Sequence, residues 1–144
     1  MSNTIIKELQ TKPEIASAYP VMCQLRTHLD EMTYLELVSE AQEKEGYKMF
    51  ALYEGEEIAA VIGFQPMVTL YYGRFLWVCD LVTDSRKRSN GHGETLLSYI
   101  HQWAKQHNYP SIALSSGLQR QNAHKFYQNK MNYNKTSYVF KKDL

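Results

Sequence analysis

Arg88-Ser89-Asn90-Gly91-His92-Gly93 lies between two segments of different periodicity. Residues 75–82 are an apolar run typical of a buried strand, and residues 94–106 repeat apolar side chains at helical spacing. The first N–H groups of a helix have no partner within the helix and lie at the positive end of its dipole, so they bind anions. The two glycines let an anion approach the backbone, and Arg86 and Lys87 add positive charge to that of Arg88. The stretch therefore predicts a phosphate-binding loop between a strand and a helix.

This loop differs from two common nucleotide-binding motifs. The run that begins at Gly91 lacks the third glycine of the dinucleotide fingerprint, and the polar residues 83–90 separate it from the strand. No Gly-Lys-Ser or Gly-Lys-Thr follows, which excludes a P-loop. Taken by itself, this stretch is also compatible with an ordinary solvated loop at the start of a helix.

Length and composition exclude several classes of protein. The chain of 144 residues suffices for one domain with a sizeable core. Its 16 Lys and Arg residues nearly balance 15 Asp and Glu residues, which gives no general attraction for nucleic acid or an anionic membrane. No apolar run approaches the roughly 20 residues that span a bilayer. We expect a cytoplasmic protein with no nucleic-acid or membrane partner.

The cysteines and histidines do not predict a metal site. Cys23 and Cys79 lie in unlike segments without CxxC spacing, which favours neither a disulfide nor a zinc site and fits a reducing cytosol. The histidines show no metal-ligand spacing on any one predicted element. A metal requirement of the reaction itself stays open.

The rest of the chain predicts an α/β order of elements. A first helix begins at Pro13 and keeps its apolar spacing to Leu29, and a second, residues 31–45, is a surface helix that can cover a cleft. A short turn at residues 54–57 joins two strands as a hairpin. We predict further helices at residues 94–106 and 123–130, and strands at residues 5–9, 48–53, 58–64, 75–82, 111–114 and 133–142. This order predicts one α/β domain, residues 1–144, with a mixed sheet.

Two motifs in this order resemble a known family. The Arg88-x-x-Gly91-x-Gly93 loop and the later Ala123-His124-Lys125-Phe126-Tyr127 segment are similar to those of the GCN5-related N-acetyltransferases (GNAT). Residues 80–84 and 115–127 resemble the small bacterial branch that includes aminoalkylphosphonate acetyltransferases. The resemblance covers nearly the whole chain. It implies a mostly antiparallel sheet, splayed open to admit acetyl-coenzyme A and flanked by helices, and acetyl transfer to a small primary amine by direct attack in a ternary complex.

The resemblance also assigns residues to the cofactor. The backbone of residues 88–93 would hold the pyrophosphate, and main-chain groups of Leu81, Val82 and Thr83 would pair with the pantetheine arm as an added strand does. Arg120 is a further cofactor residue, at a position where most family members carry Asn.

The proton-transfer residues follow from the same comparison. Tyr127 occupies the family's general-acid position, where a phenol with a reference pKa near roughly 10 can protonate the leaving thiolate; a core tyrosine is the alternative. Many relatives place a Glu on the central strand just before an acidic residue, where this chain has Cys79 followed by Asp80. Asp80 can accept the amine proton directly or through water, and Cys79 is alternatively a small buried hydrophobe. Alternation along a strand puts these two side chains on opposite faces unless a bulge intervenes.

Other residues are candidates for the acceptor site. Arg120, His124 and Tyr127 lie at i, i+4 and i+7, so a helix would place them on one face, beside an anionic substrate, the cofactor or solvent. His28 and Cys79 are further candidates for lining the substrate site. Asn132 takes the place of a Gly in the relatives, with one extra residue before it in this chain. Asn tolerates the left-handed conformation that ends a helix.

Two other functions remain open on the sequence. The missing Glu and the substituted Arg120 allow a non-catalytic module that binds or senses acyl-coenzyme A. A protein lysine acetyltransferase is the other alternative. The expected partner is a small-molecule amine, and the sequence does not distinguish a monomer from a homodimer.

Overall fold

Five strands form one sheet in the order β1-β2-β3-β4-β5. They are β1 (Thr4–Leu9), β2 (Lys48–Glu54), β3 (Glu57–Thr69), β4 (Gly73–Thr83) and β5 (Ile112–Leu114). The pairs β1–β2, β2–β3 and β3–β4 are antiparallel, and β5 makes the sheet mixed, as predicted. The computed structural model describes residues 3–144. These residues form two compact units, of which the first ends at Ala113 and the second is Leu114–Leu144.

The helices of the first unit largely match the apolar periodicity of the sequence. They are α1 (Lys12–Ser17), α2 (Tyr19–Leu25), α3 (Glu31–Glu45) and α4 (His92–Gln106), with a 3₁₀ turn at Ser85–Lys87. The single helix predicted from Pro13 to Leu29 is wrong, because it is divided at Ala18 and ends at Leu25. Pro20 has no N–H to donate and is favoured in the first turn of a helix, where it follows Tyr19 at the start of α2.

Helices cover both faces of the sheet. Met49 and Ala51 of β2 belong to the buried cluster that includes residues of α1, α2 and α3. Between them, Phe50 faces the other side, where its ring centroid lies 6.5 Å from that of Trp103 in α4. A strand buried on both faces has an uninterrupted apolar sequence, which explains the composition of β2.

The pairing of β3 with β4 contains one irregularity. Gly63 pairs with Asp80, but the next residue of β3, Phe64, pairs with Val78. Cys79 is therefore an extra residue in β4, which is the definition of a β-bulge.

The second unit contains one short helix and an irregular C-terminal segment. Helix α5 (Gln121–Lys125) continues into a π-helical turn, Phe126–Lys130, and Asn132 has the predicted left-handed conformation, with φ of 60°. The strand predicted at residues 133–142 is wrong, since these residues form no regular secondary structure. A strand needs a hydrogen-bonded neighbour, and composition alone does not supply one.

None of the helices within residues 3–144 combines the length and the apolar character needed to cross a bilayer.

Candidate active site

A pocket of about 440 Å³ lies in the first unit, lined by residues of α2, α3, β3 and β4. This volume falls within the range of roughly 300–1,000 Å³ typical of small-molecule sites. Its polar lining includes Arg26, His28, Gln65, Cys79 and Asp80. The structure thus brings His28, Cys79 and Asp80, three residues singled out in the sequence, to one pocket.

The bulge in β4 explains how two consecutive residues reach the same pocket. Strict alternation would place Cys79 and Asp80 on opposite faces of the sheet. Because Cys79 has no partner of its own in β3, the alternation is interrupted at this residue. Both residues line the pocket as a result.

Asp80 is held by hydrogen bonds to both carboxylate oxygens. The Tyr47 hydroxyl donates to Oδ2 at 2.8 Å, and Arg26 Nε donates to Oδ1 at 2.9 Å. Arg26 also donates from Nη2 to the Cys79 carbonyl oxygen at 2.7 Å, so it spans the bulge. Each carboxylate oxygen keeps acceptor capacity, and the Asp80 side chain is 16 % exposed. The carboxylate is therefore fixed in position and still able to accept a further hydrogen bond.

Tyr47 fits beneath Asp80 only because residue 63 is a glycine. A Cβ on Gly63 would lie 1.8 Å from the Tyr47 hydroxyl oxygen, well inside any real contact distance. Burial, and then the nearby Asp80 carboxylate, raise the pKa of Tyr47 well above its ordinary value. The phenol therefore stays protonated at neutral pH and acts as a hydrogen-bond donor to Asp80.

Sequence reasoning missed Arg26, Tyr47 and Gly63. One signal was available: an isolated glycine within a strand indicates a bulge or a close approach to the backbone. Gly63 satisfies both descriptions, since it lies beside the bulge and admits the Tyr47 ring. Nothing local to the sequence identifies Arg26 or Tyr47.

The Cys79 thiol is suited to packing and not to proton transfer. Burial, followed by the charge of Asp80, raises its pKa to about 12, against a smaller opposing effect of Arg26. A thiol that stays protonated at neutral pH is a weak nucleophile and a weak base. Cys79 therefore contributes shape and the backbone carbonyl that Arg26 binds.

The glycine loop ends in the left-handed residue Gly91, which is the N-cap of α4, with φ of 75°. Gly91 has no side chain to cap the helix, and a Cβ there would meet no heavy atom within 4 Å. Ser89 also has a positive φ, of 71°. An uncapped helix start that faces open space suits the pyrophosphate of acetyl-coenzyme A.

Two of the three basic residues near this loop are already paired. Arg86 Nη2 lies 2.9 Å from Asp84 Oδ2, and Lys87 Nζ lies 2.8 Å from Glu54 Oε1. Both cations also reach Glu57, at 3.5 Å. The expectation that Arg86 and Lys87 supply positive charge to an anion is therefore wrong, because neighbouring carboxylates balance that charge.

Arg88 and His92 differ in what they can offer. Within residues 3–144 no carboxylate forms an ion pair with Arg88, so its charge is available. The His92 side chain is buried, and its Nε2 lies 3.1 Å from Glu54 Oε2. The His92 side chain is therefore not available to a bound anion, and its backbone is the part that remains for that role.

The end of β4 next to this loop extends past its shorter neighbour. Leu81, Val82 and Thr83 pair with β3 on one side. On the other side β5 has three residues against eleven in β4, and the Leu76 N–H donates to Ser111 oxygen near the opposite end of β4. Leu81, Val82 and Thr83 are therefore at the end of β4 that is distant from the contact with Ser111.

Tyr127 lies in the second unit, in the π-helical turn that follows α5. It is buried, and its ring centroid lies 5.3 Å from that of Phe126 and 5.8 Å from that of Tyr133. Burial raises the pKa of Tyr127, while the positive charge of Arg120 acts in the opposite direction. The phenol is therefore protonated at neutral pH, the state that a proton donor requires.

The α-helix expected to carry Arg120, His124 and Tyr127 is shorter than predicted. Arg120 precedes α5, which has five residues, and Tyr127 follows it in a turn of different periodicity. His124 Nε2 lies 2.8 Å from the Gly117 carbonyl oxygen, so this side chain holds the preceding loop. A π turn contains one more residue than an α turn, which accommodates the extra residue before Asn132.

Comparison with known proteins gives matches along almost the full chain. A sequence profile of the Acetyltransferase (GNAT) family matches residues 12–133. A Bacillus subtilis (strain 168) protein described as an uncharacterized N-acetyltransferase, YhdJ, is 45% identical over 139 residues, which are 96% of this chain and 98% of that protein.

Solved structures agree on the fold. The aminoglycoside N-acetyltransferase AAC(6')-Iy in complex with CoA has a TM-score of 0.85 at 13% identity, with 100% of this chain and 96% of that chain covered. A transcriptional regulator from Bacillus halodurans C-125 has a TM-score of 0.84 at 19% identity, with 99% and 100% covered. At these identities the similarity establishes the fold alone.

Proposed function

Since this chain belongs to the acetyltransferase (GNAT) family and uses acetyl-coenzyme A, we propose that it acetylates the primary amine of a small molecule bound in the pocket at Asp80. The observation that carries the proposal is the Asp80 carboxylate, which lines this pocket beside the β4 bulge and is held by Tyr47 and Arg26. A fixed carboxylate is the group that orients an ammonium ion and receives its proton.

Asp80 is the proton acceptor in this proposal. Acetyl-coenzyme A supplies a thioester whose carbonyl carbon is the electrophile. A primary amine is protonated at neutral pH and must lose a proton before its nitrogen can attack. Asp80 takes that proton directly or through one water and later passes it to solvent. The neutral nitrogen forms the C–N bond, and the C–S bond breaks as Tyr127 protonates the departing sulfur. The second proton that the nitrogen loses on becoming an amide also passes to solvent, from which the Tyr127 hydroxyl regains its own proton.

Tyr127 is the proton donor to the departing sulfur. The support is its place in the Ala123–Tyr127 motif and the raised pKa, which keeps the hydroxyl protonated until a basic thiolate develops. Arg120 is proposed as an auxiliary cofactor contact. His124 is proposed as a substrate residue through its position in the same motif, although its Nε2 already binds Gly117 oxygen.

The cofactor is proposed to bind along one continuous path in the first unit. The backbone of residues 88–93 takes the pyrophosphate, and the charge of Arg88 adds to that of the uncapped helix start. Main-chain groups of Leu81, Val82 and Thr83 take the pantetheine arm. We also propose that residues 1–144 act as a single N-acetyltransferase domain, because the family profile spans both compact units.

The acceptor class can be narrowed by resemblance and by the pocket. The resemblance of residues 80–84 and 115–127 makes an aminoalkylphosphonate one candidate acceptor, to be tested beside other small amines, and His28 is the pocket residue that would face its anion. A pocket of about 440 Å³ favours a small molecule over a protein lysine as the acceptor.

The test is release of coenzyme A thiol by the purified full chain, with acetyl-coenzyme A and a panel of primary amines. Direct attack in a ternary complex predicts intersecting initial-rate lines, whereas a covalent acetyl-enzyme predicts parallel lines. Tyr127→Phe should lower kcat roughly 10²-fold or more without loss of cofactor binding. The matched control is Tyr138→Phe, since Tyr138 lies in the same unit and is 71% exposed.

Two outcomes would contradict the proposal. Release of coenzyme A by no amine, with intact binding of acetyl-coenzyme A, would remove the assigned reaction. Equal kcat for Tyr127→Phe and Tyr138→Phe would remove the role of Tyr127 and leave the acceptor site at Asp80 in place.

A further inference from the structure

The pocket at Asp80 has an apolar stripe contributed by α3. Tyr34, Leu37, Val38 and Ala41 line it at i, i+3, i+4 and i+7, the spacing that places side chains on one helical face. Tyr34 and Val38 are buried, whereas Leu37 is 51% exposed although it lines the pocket. The stripe therefore leaves an apolar side chain uncovered at the acceptor site.

The charges at the same pocket are nearly balanced. The Arg26 guanidinium forms an ion pair with Asp80 and also binds the Cys79 carbonyl oxygen. His28 is the other residue of the lining that can carry a positive charge, and Gln65 supplies one amide. An acceptor with many hydroxyl groups would lose hydrogen bonds to water against this lining without replacing them.

We infer that the acceptor is a primary amine with an apolar alkyl or aromatic body. Its nitrogen lies at Asp80, and its body packs on the stripe of α3 that includes Leu37. This inference rests on the proposed function and narrows its substrate class, because it separates such amines from aminosugars and from aminoalkylphosphonates.

The inference makes a quantitative statement about chain length. Burial of each CH₂ group strengthens binding about two- to fourfold until the pocket is filled. The gain is in binding of the ground state and of the reacting state alike, so it should lower KM and leave kcat nearly constant.

The experiment uses the full chain and linear amines from propylamine to octylamine, with ethanolamine, glucosamine and 2-aminoethylphosphonate for comparison. Calorimetric titration gives Kd without turnover, and coenzyme A release gives kcat/KM. The expected result is a stepwise fall of Kd with each CH₂ group and weaker binding of the three polar amines. Phenethylamine should bind within the range of the longer alkylamines.

Leu37→Ser tests the stripe directly. This substitution should flatten the dependence of Kd on chain length. Because Leu37 is exposed, the variant should fold normally, and thermal unfolding checks this. Met32→Ser is the matched control, since Met32 lies on the same helix, is 72% exposed and does not line the pocket. The amine series measured with the unaltered protein tests the inference even if a variant fails to fold.

The outcomes separate the inference from the proposed function. A Kd and a kcat/KM that are independent of chain length, or a kcat/KM that is highest with glucosamine or 2-aminoethylphosphonate, overturn the inference and leave the proposed function standing. The same slope of Kd in Leu37→Ser and Met32→Ser also overturns it. Bound acetyl-coenzyme A with no turnover of any amine overturns the proposed function and the inference with it.

Discussion

Gly63→Ala should destabilise the protein and disconnect Tyr47 from Asp80. The added Cβ would lie 1.8 Å from the Tyr47 hydroxyl oxygen, 2.4 Å from Cζ and 2.9 Å from Cε2. All three distances are shorter than any tolerated contact, and Tyr47 is only 7% exposed, so the ring has little room to move. The ring must shift away from Gly63, and the hydrogen bond to Asp80 Oδ2 is lost.

The size of the effect follows from two costs and one gain. Losing a buried hydrogen bond to a charged group costs about 1.5–3 kcal/mol, and overpacking a core site costs about 1–3 kcal/mol. Alanine is favoured over glycine within a strand by roughly 0.5–1 kcal/mol, which offsets part of this. The expected net loss is about 2–5 kcal/mol in the free energy of unfolding. Because a domain of this size has about 5–15 kcal/mol, the variant should still fold.

Urea unfolding of four chains tests the steric explanation: the unaltered protein, Gly63→Ala, Tyr47→Ala and the double variant. Gly63→Ala should cost little once the ring is absent, which gives a coupling energy of at least about 1.5 kcal/mol. On a Tyr47→Phe background it should stay costly, since the ring carbons remain. Additive losses in the cycle with Tyr47→Ala would refute the reasoning. Gly117→Ala is the control, because the nearest atoms to its Cβ would belong to the flexible end of the Gln119 side chain.

Three further predictions concern the elements around the site. Asp84 is buried, and hydrogen bonds from the Arg86 side chain and then from its backbone N–H lower the Asp84 pKa from 3.8 to about 2. The ionised Asp84 therefore stabilises the folded protein fully above pH 3.8, and this contribution to the free energy of unfolding is lost as the pH falls towards 2. Asp84→Asn should therefore reduce the free energy of unfolding at pH 6 much more than at pH 2.5, and an equal loss at both would contradict this origin. Thr11→Ala removes the capping box of α1 and should cost about 1 kcal/mol in urea unfolding; no change would show that the cap is energetically idle. Glu54→Gln should release Lys87 and His92, loosen the glycine loop and weaken coenzyme A binding several-fold in calorimetry, whereas unchanged affinity would contradict a positioning role.

The parts of the fold that the sequence predicts well are those set by local periodicity. Helix α3 has the predicted bounds, Glu31–Glu45, because an Asp N-cap and a Gly C-cap enclose it. The hairpin of β2 and β3 forms around Gly55, whose φ is 63°. These signals lie within a few residues of the structure that they determine.

The errors arise where a distant partner decides the outcome. Residues 133–142 have a composition that favours strands, but no strand forms there, and Phe140 is 92% exposed. The charge of Lys87 is balanced by Glu54 and Glu57, which lie about thirty positions earlier in the chain. Sequence spacing gives no information on such pairs, so it overestimates the charge available to the cofactor.

The candidate acceptor site depends on two departures from regular strand geometry that only the register of β3 with β4 explains. If Cys79 paired regularly with β3, Cys79 and Asp80 would lie on opposite faces of the sheet. The Asp80 carboxylate and the Cys79 carbonyl would then not bind the same Arg26 guanidinium. Without the missing side chain at Gly63, Tyr47 could not reach Asp80. Gly63 is paired with Asp80 itself, so the two departures occur at the same rung of the sheet. A regular β3–β4 pair would be easier to predict. It would lack both the space for the Tyr47 ring beside Gly63 and the shift in alternation at Cys79, which together place a hydrogen-bonded Asp80 carboxylate in the pocket.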